Sequence, residues 1–79
     1  MSFGEAIELL KQGALVQRAG WNGKGMYLYL QDPFVYAQER KYEPCICMFT
    51  AQQKHQPGWL ASQADMLADD WGIGGRCPS

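Results

Sequence analysis

The residues of this chain best equipped to do chemistry are two tryptophans and the polar groups beside them. Trp21 sits in the run Arg18-Ala19-Gly20-Trp21-Asn22-Gly23-Lys24, and Trp71 follows Asp69-Asp70. An indole can stack on a nucleobase, and such a contact contributes about 1–3 kcal/mol per base. Arg18, Lys24 and the backbone N–H groups around Gly23 can meet phosphates. Asn22, Ser62 and Gln63 can hydrogen-bond base edges or ribose hydroxyls, and Asp70 can accept from an amino group. These nine positions form the candidate ligand-binding set. For Trp71, a core role and an exposed plate are equally open; Trp59, followed by Leu60, reads as core.

Catalysis has less to stand on. His55 is the single histidine; it lies between glutamines and a lysine, with no Ser or Cys nucleophile in an evident elbow. A solvated surface histidine is the expectation. Asp69 and Asp70 are adjacent, so their side chains point apart, and capping or solvation explains them without a cation. Gly20, Gly23 and Gly25 space as G-x-x-G-x-G, not as the dinucleotide fingerprint G-x-G-x-x-G, and they fall in a hairpin signal rather than between strand and helix. Cys45, Cys47 and Cys77 with His55 offer the composition of a structural zinc site. The C-x-C spacing is tighter than zinc sites use, and core thiols are the commoner state of such residues. No catalytic residue, metal ligand or cofactor is therefore expected.

Composition sets the frame for these groups. The chain has 79 residues, 47% of them hydrophobic and 13% aromatic. That length makes one domain, which buries only about 60% of the surface its unfolded form exposes. So much apolar area on so short a chain points to self-association. A formal charge of −1 argues against a nucleic-acid polymer as partner, because affinity there comes mainly from neutralised phosphates. No apolar run is long enough to span a membrane and no signal peptide is evident, so a cytoplasmic protein is expected. An odd number of cysteines fits reduced thiols.

The elements that must position the candidate residues follow from pattern. Ser2 and Glu5 form a capping box, and Phe3, Ala6, Ile7 and Leu10 repeat at helical spacing, predicting a helix over residues 3–12 that Gly13 ends. Leu15 to Arg18 reads as a short strand. Asn22-Gly23 signals a tight hairpin turn, and Met26 to Gln31 reads as a strand with its tyrosines on one face. Asp32-Pro33 breaks it, and residues 34–41 read as an ordered loop or edge strand. Tyr42 to Ala51 is predicted as a third strand, apolar on both faces, with Cys45, Cys47 and Phe49 on one side. Gln52 to Gln56 reads as a polar connector. Ser62 and Asp65 then announce a short second helix whose apolar side is Ala64, Met66, Leu67 and Ala68. Residues 74–79 read as a loose tail. The fold class is α+β: a single small domain over residues 1–79, with an N-terminal helix packed on an antiparallel sheet, a short second helix, and assembly as a homo-oligomer.

Three blocks carry a family resemblance: SFGEAIELLKQG, RAGWNGKGMYLYL and PGWLASQADMLADDW. They resemble a phage and prophage family, the second Thoeris anti-defence family, once catalogued as a domain of unknown function. The match covers residues 2–31 and 57–73, and the third block is its specific part. The resemblance implies an α+β protomer assembled as a homotetramer, a dimer of dimers. It further implies a molecular sponge that holds cyclic nucleotide immune signals at protomer interfaces without cleaving them. Those signals are cyclic ADP-ribose isomers such as glycocyclic ADP-ribose, and cyclic dinucleotides for some members, so both Thoeris and CBASS defence come into view. A self-associating structural or regulatory phage protein with no small-molecule ligand is the competing reading, and a nucleotide-processing enzyme is the third.

Overall fold

The computed structural model describes residues 1–21, 25–31 and 43–76, with backbone alone at Gly75 and Arg76. The first helix, α1, runs Phe3–Lys11. Its start is fixed by the expected reciprocal cap. The Ser2 hydroxyl accepts from the Glu5 backbone N–H at 3.2 Å, and the Glu5 carboxylate accepts from the Ser2 N–H at 3.2 Å. Its end falls where Gly13 takes φ +89°, a left-handed conformation that a side chain would resist.

Five strands form one sheet: β1 Ala14–Arg18, β2 Tyr27–Gln31, β3 Cys45–Phe49, β4 His55–Gln56 and β5 Trp71–Arg76. Their spatial order is β4-β3-β2-β1-β5, and every neighbouring pair is antiparallel. The register sets Val16 opposite Leu28 and Leu28 opposite Met48, so these three side chains share a face. Ala6 and Leu10 of α1 complete a core on that face with Trp71, and each of the six is buried. Tyr27, Tyr29, Cys47 and Phe49 fall on the other face by strand alternation.

Three sequence expectations change here. Residues 74–76 belong to β5 rather than to a loose tail, pairing Ala14 with Arg76 and Leu15 with Gly75. Glycines have poor strand propensity, but β1 needs a partner on its second edge, and a bulge between Leu15 and Val16 accommodates the extra residue. The connector after β3 is also a strand hairpin: the Lys54 carbonyl accepts from Thr50, and Phe49 pairs with His55. The third strand is shorter than expected, Cys45–Phe49. The expected turn at residues 22–24 and the loop or edge strand at residues 34–41 lie outside the described residues.

The second helix, α2, is the five-residue Gln63–Leu67. Ser62 caps it as its spacing foretold, with Asp65 returning the bond to close a second capping box. Its apolar side, however, is not buried. Leu67 is 81% exposed, and Leu60, beside the half-buried Trp59, is 89% exposed. One turn of helix is too short to carry both flanking leucines onto the sheet once Ala68 is packed there.

Candidate functional site

Strand β1, the turn that leaves it, α2 and the start of β5 meet around one guanidinium. Arg18 closes β1, and its Nε donates to Asp70 Oδ1 at 2.8 Å while its Nη1 donates to Asp65 Oδ1 at 2.8 Å. Asp70 precedes β5, whose pairing puts Arg18 opposite Trp71, so the sheet register itself brings the two charges together. The second oxygen of Asp70 accepts from the Gly20 backbone N–H at 2.8 Å. That approach needs a glycine: a Cβ at position 20 would stand 2.9 Å from Asp70 Oδ2.

Asp65 is the most connected carboxylate among the described residues. Its Oδ1 accepts from Arg18 and from Trp21 Nε1 at 3.3 Å, and its Oδ2 accepts from the Ser62 hydroxyl at 2.9 Å and backbone N–H at 3.2 Å. Its carbonyl accepts from Trp71 Nε1 at 3.0 Å. One residue thus caps α2, anchors two indoles and pairs with Arg18. The sequence reading used Asp65 only as a first-turn acid. The S-x-x-D spacing was the visible signal; the contact with Arg18, 47 residues earlier, had none.

The electrostatics follow from this geometry. Hydrogen bonds donated to Asp70, then to Asp65, raise the Arg18 guanidinium above its ordinary range. Burial pushes the Asp65 carboxyl up, but donation by Arg18, Ser62 and Trp21 outweighs it and holds the group below the usual carboxylate range. Asp70 is lowered by Arg18 first, with the Gly20 amide adding to it. Two carboxylates surround one cation, so Arg18 has no charge to spare for a phosphate.

The candidate residues therefore separate. Arg18, Ser62, Asp70, Trp21 and Trp71 converge on this network, whereas Gln63 is exposed on the first turn of α2. Asn22, Gly23 and Lys24 lie outside the described residues. Trp71 is 3% exposed and belongs to the core, which resolves its two readings: the ring is packed, not presented as a plate. Phe3 lies 5.3 Å from it by ring centroids, and Trp21 meets it edge-on at 5.4 Å. Trp59 packs against Trp21 and Trp71, each at 6.4 Å. Trp21 is only half-buried, so of the two proposed plates it alone keeps open ring surface.

The model of the Thoeris anti-defense 2-like domain matches residues 1–74. This chain belongs to the Thoeris anti-defense 2-like family. Among relatives, the Thoeris anti-defense 2 protein of Bacillus phage SP01 is 43% identical over an 84-residue alignment, covering 92% of this chain and 93% of that protein. The family match takes in both halves of the Arg18–Asp65–Asp70 network.

A second group of aromatic residues lies across the sheet from α1. Tyr27 and Phe49 stack at 5.0 Å with planes 17° apart, and the Tyr29 hydroxyl shares a 2.7 Å hydrogen bond with His55 Nδ1. Burial pushes the Tyr29 phenol up to about 12, with the Cys47 thiol beside it adding to the effect. Cys45 and Cys47 are free thiols with sulfurs 3.7 Å apart. Among the described residues, no three His, Cys, Asp or Glu side chains gather as a metal site. None of the described helices is long and apolar enough to cross a membrane.

Proposed function

We propose that this chain counters anti-phage defence by binding a cyclic nucleotide signal and holding it chemically intact. The observation that carries this reading is the family match over residues 1–74, with a 43% identical anti-defence relative spanning nearly the whole chain. The signals that fit are cyclic ADP-ribose isomers, glycocyclic ADP-ribose among them, and cyclic dinucleotides, so that Thoeris and CBASS defence are the systems opposed. The sponge acts in the host cytoplasm, as a homotetramer with the ligand held between protomers.

The geometry supports particular roles. Trp21 supplies the stacking surface, held in place by its Nε1 bond to Asp65 and by edge contacts to Trp59 and Trp71. Gln63 offers an exposed amide on the first turn of α2. Lys24 and the backbone N–H groups of Asn22 and Gly23 meet phosphates, because Arg18 is already neutralised by two carboxylates. Arg18, Asp65, Asp70 and Trp71 act on the ligand indirectly by fixing Trp21 and α2. A sponge works only if its sites outnumber the signal and bind more tightly than the effector does. Nanomolar holding requires about 12 kcal/mol. Two stacked bases and a few charge-assisted phosphate bonds, at about 1.5–3 kcal/mol each, approach that in a rigid pocket.

The test is to incubate the protein with a panel of cyclic nucleotides, remove it by filtration, heat-denature it and assay what is released. Intact ligand in the released fraction is the expected result. A hydrolysed or linearised product would make the protein an enzyme, and failure to deplete any member of the panel would leave only self-association.

A further inference from the structure

Two thiols on the outer face of the sheet take no part in the network around Arg18. Cys45 and Cys47 lie two residues apart on β3, so strand alternation puts both side chains on one face. Their sulfurs stand 3.7 Å apart, and Cys47 Sγ is 3.4 Å from the side-chain oxygen of Gln31. Gln31 closes β2 and pairs with Cys45 across the ladder, so three donor atoms come from neighbouring positions. We propose that Cys45 Sγ, Cys47 Sγ and Gln31 Oε1 form an exchangeable site for a soft divalent d10 cation of the zinc and cadmium class. The fourth position is left to an exogenous ligand.

The distances fit one inserted ion and not a bond between the sulfurs. A tetrahedral ion with metal–sulfur bonds of about 2.3 Å holds its two sulfurs about 3.8 Å apart. An oxygen bound at about 2.1 Å then lies about 3.6 Å from each sulfur. The observed edges of 3.7 and 3.4 Å already approach that outline. A disulfide would need the sulfurs at about 2.05 Å. Alternate residues of an extended strand hold their Cα atoms roughly 6.6–6.8 Å apart, at the far limit of what a disulfide spans. Thiolate is also the ligand that soft ions select. Burial, with the neighbouring Cys45 adding to it, pushes the Cys47 thiol up, so an entering ion must expel protons. Two S–H bonds break, two metal–sulfur bonds form and two protons pass to solvent, with no change of oxidation state. Access and burial set the site's character. Cys47 is 1% exposed, whereas Cys45 is half-buried and Gln31 exposed, so solvent reaches the sulfurs past Cys45. His55 is bonded through Nδ1 to the Tyr29 hydroxyl, and among the described residues no third His, Cys, Asp or Glu joins the two thiols. A closed structural site needs four protein ligands; this one is open, and loads and releases its ion.

Cd2+ is the probe, because cadmium–thiolate bonds absorb in the ultraviolet by charge transfer, and Zn2+ competes for the same donors. The titration uses the full chain carrying Cys77→Ser, with a phosphine reductant, so that Cys45 and Cys47 are its two thiols. One cadmium per chain is expected, with a charge-transfer band that Zn2+ abolishes by displacement. Cys45→Ser and Cys47→Ser should each bind about 100-fold more weakly, and Gln31→Ala about tenfold more weakly with the band retained. Circular dichroism checks that each variant folds. If the change at buried Cys47 prevents folding, alkylation of Cys45 in the otherwise native chain replaces it: Zn2+ should slow the reaction, read by mass spectrometry, and an unchanged rate overturns the site. Absence of the band, its persistence in Cys45→Ser, failure of Zn2+ to displace cadmium, or an unchanged affinity in Gln31→Ala each overturns the three-donor site. Half an equivalent of cadmium per chain overturns it as well, because the ion would then bridge two copies.

Discussion

Protonation of Asp65 or Asp70 removes the partner that holds Arg18, so the site network has a built-in acid limit. Both carboxyls lie below their ordinary range in the folded chain. As pH falls, the unfolded state therefore takes up protons first. Their contribution to stability is complete at neutral pH and is lost as pH drops below about 4, through the lowered folded-state values. Asp70→Asn should lower the melting temperature at pH 7 and flatten the acid limb of a melting-temperature profile; an unchanged limb would show that the clasp contributes nothing. The tryptophans divide differently. Trp71→Ala opens a cavity in the core and should cost about 3–5 kcal/mol in denaturant titrations. Trp21→Ala removes a half-buried ring that packs on Trp59 and Trp71, so it should cost less than that while weakening ligand binding. Although it follows a glycine in a turn-rich run, the Trp21 ring carries structural load through its contacts with Trp59 and Trp71. Trp21→Phe, which keeps most of that packing, separates the two effects.

At the level of elements, the parts written in local chemistry were legible and the parts made by long-range pairing were not. Both capping boxes stand at S-x-x-E and S-x-x-D, and both helices begin where those spacings say. The face alternation of β2 and β3 was equally plain, because one buried face demands a period of two. Strand β5 was hidden because Gly72, Gly74 and Gly75 carry no strand propensity; only the vacancy beside β1 makes that segment extended. The exposure of Leu67 was hidden for the opposite reason: leucine in a helical pattern reads as core, and nothing local says that the core is already full. Part of the candidate set came together because the β1–β5 ladder sets Arg18 opposite Trp71 and so brings the preceding Asp70 to it, a ladder the sequence reading did not include. Ser62→Ala tests the cap directly. It should cost about 1 kcal/mol, loosening α2 and its hold on Trp21, so thermal denaturation and ligand depletion should decline together. A loss of stability with no change in depletion would detach α2 from the site.

For the whole molecule, sequestration and stability are the same measurement. A ligand that binds only the folded state stabilises it by RT ln(1 + [L]/Kd), which at a free concentration a thousand times Kd is about 4.1 kcal/mol. For a domain of this size, 1 kcal/mol moves the melting temperature by roughly 4–8 °C. A nanomolar site with micromolar free signal should therefore raise it by roughly 15–30 °C, far outside ordinary buffer effects. If the site lies between protomers, the ligand also favours association, so the melting temperature should rise with protein concentration and do so less steeply once the signal is bound. A cyclic nucleotide that gives the full shift identifies the preferred signal. A rise of only a few degrees for every member of the panel would correspond to a Kd too weak to compete with an effector. In that case the sponge reading fails even though binding occurs. The marginal stability expected of a 79-residue chain makes the experiment sensitive, because a small reserve in the free state leaves the bound-state increment easy to see.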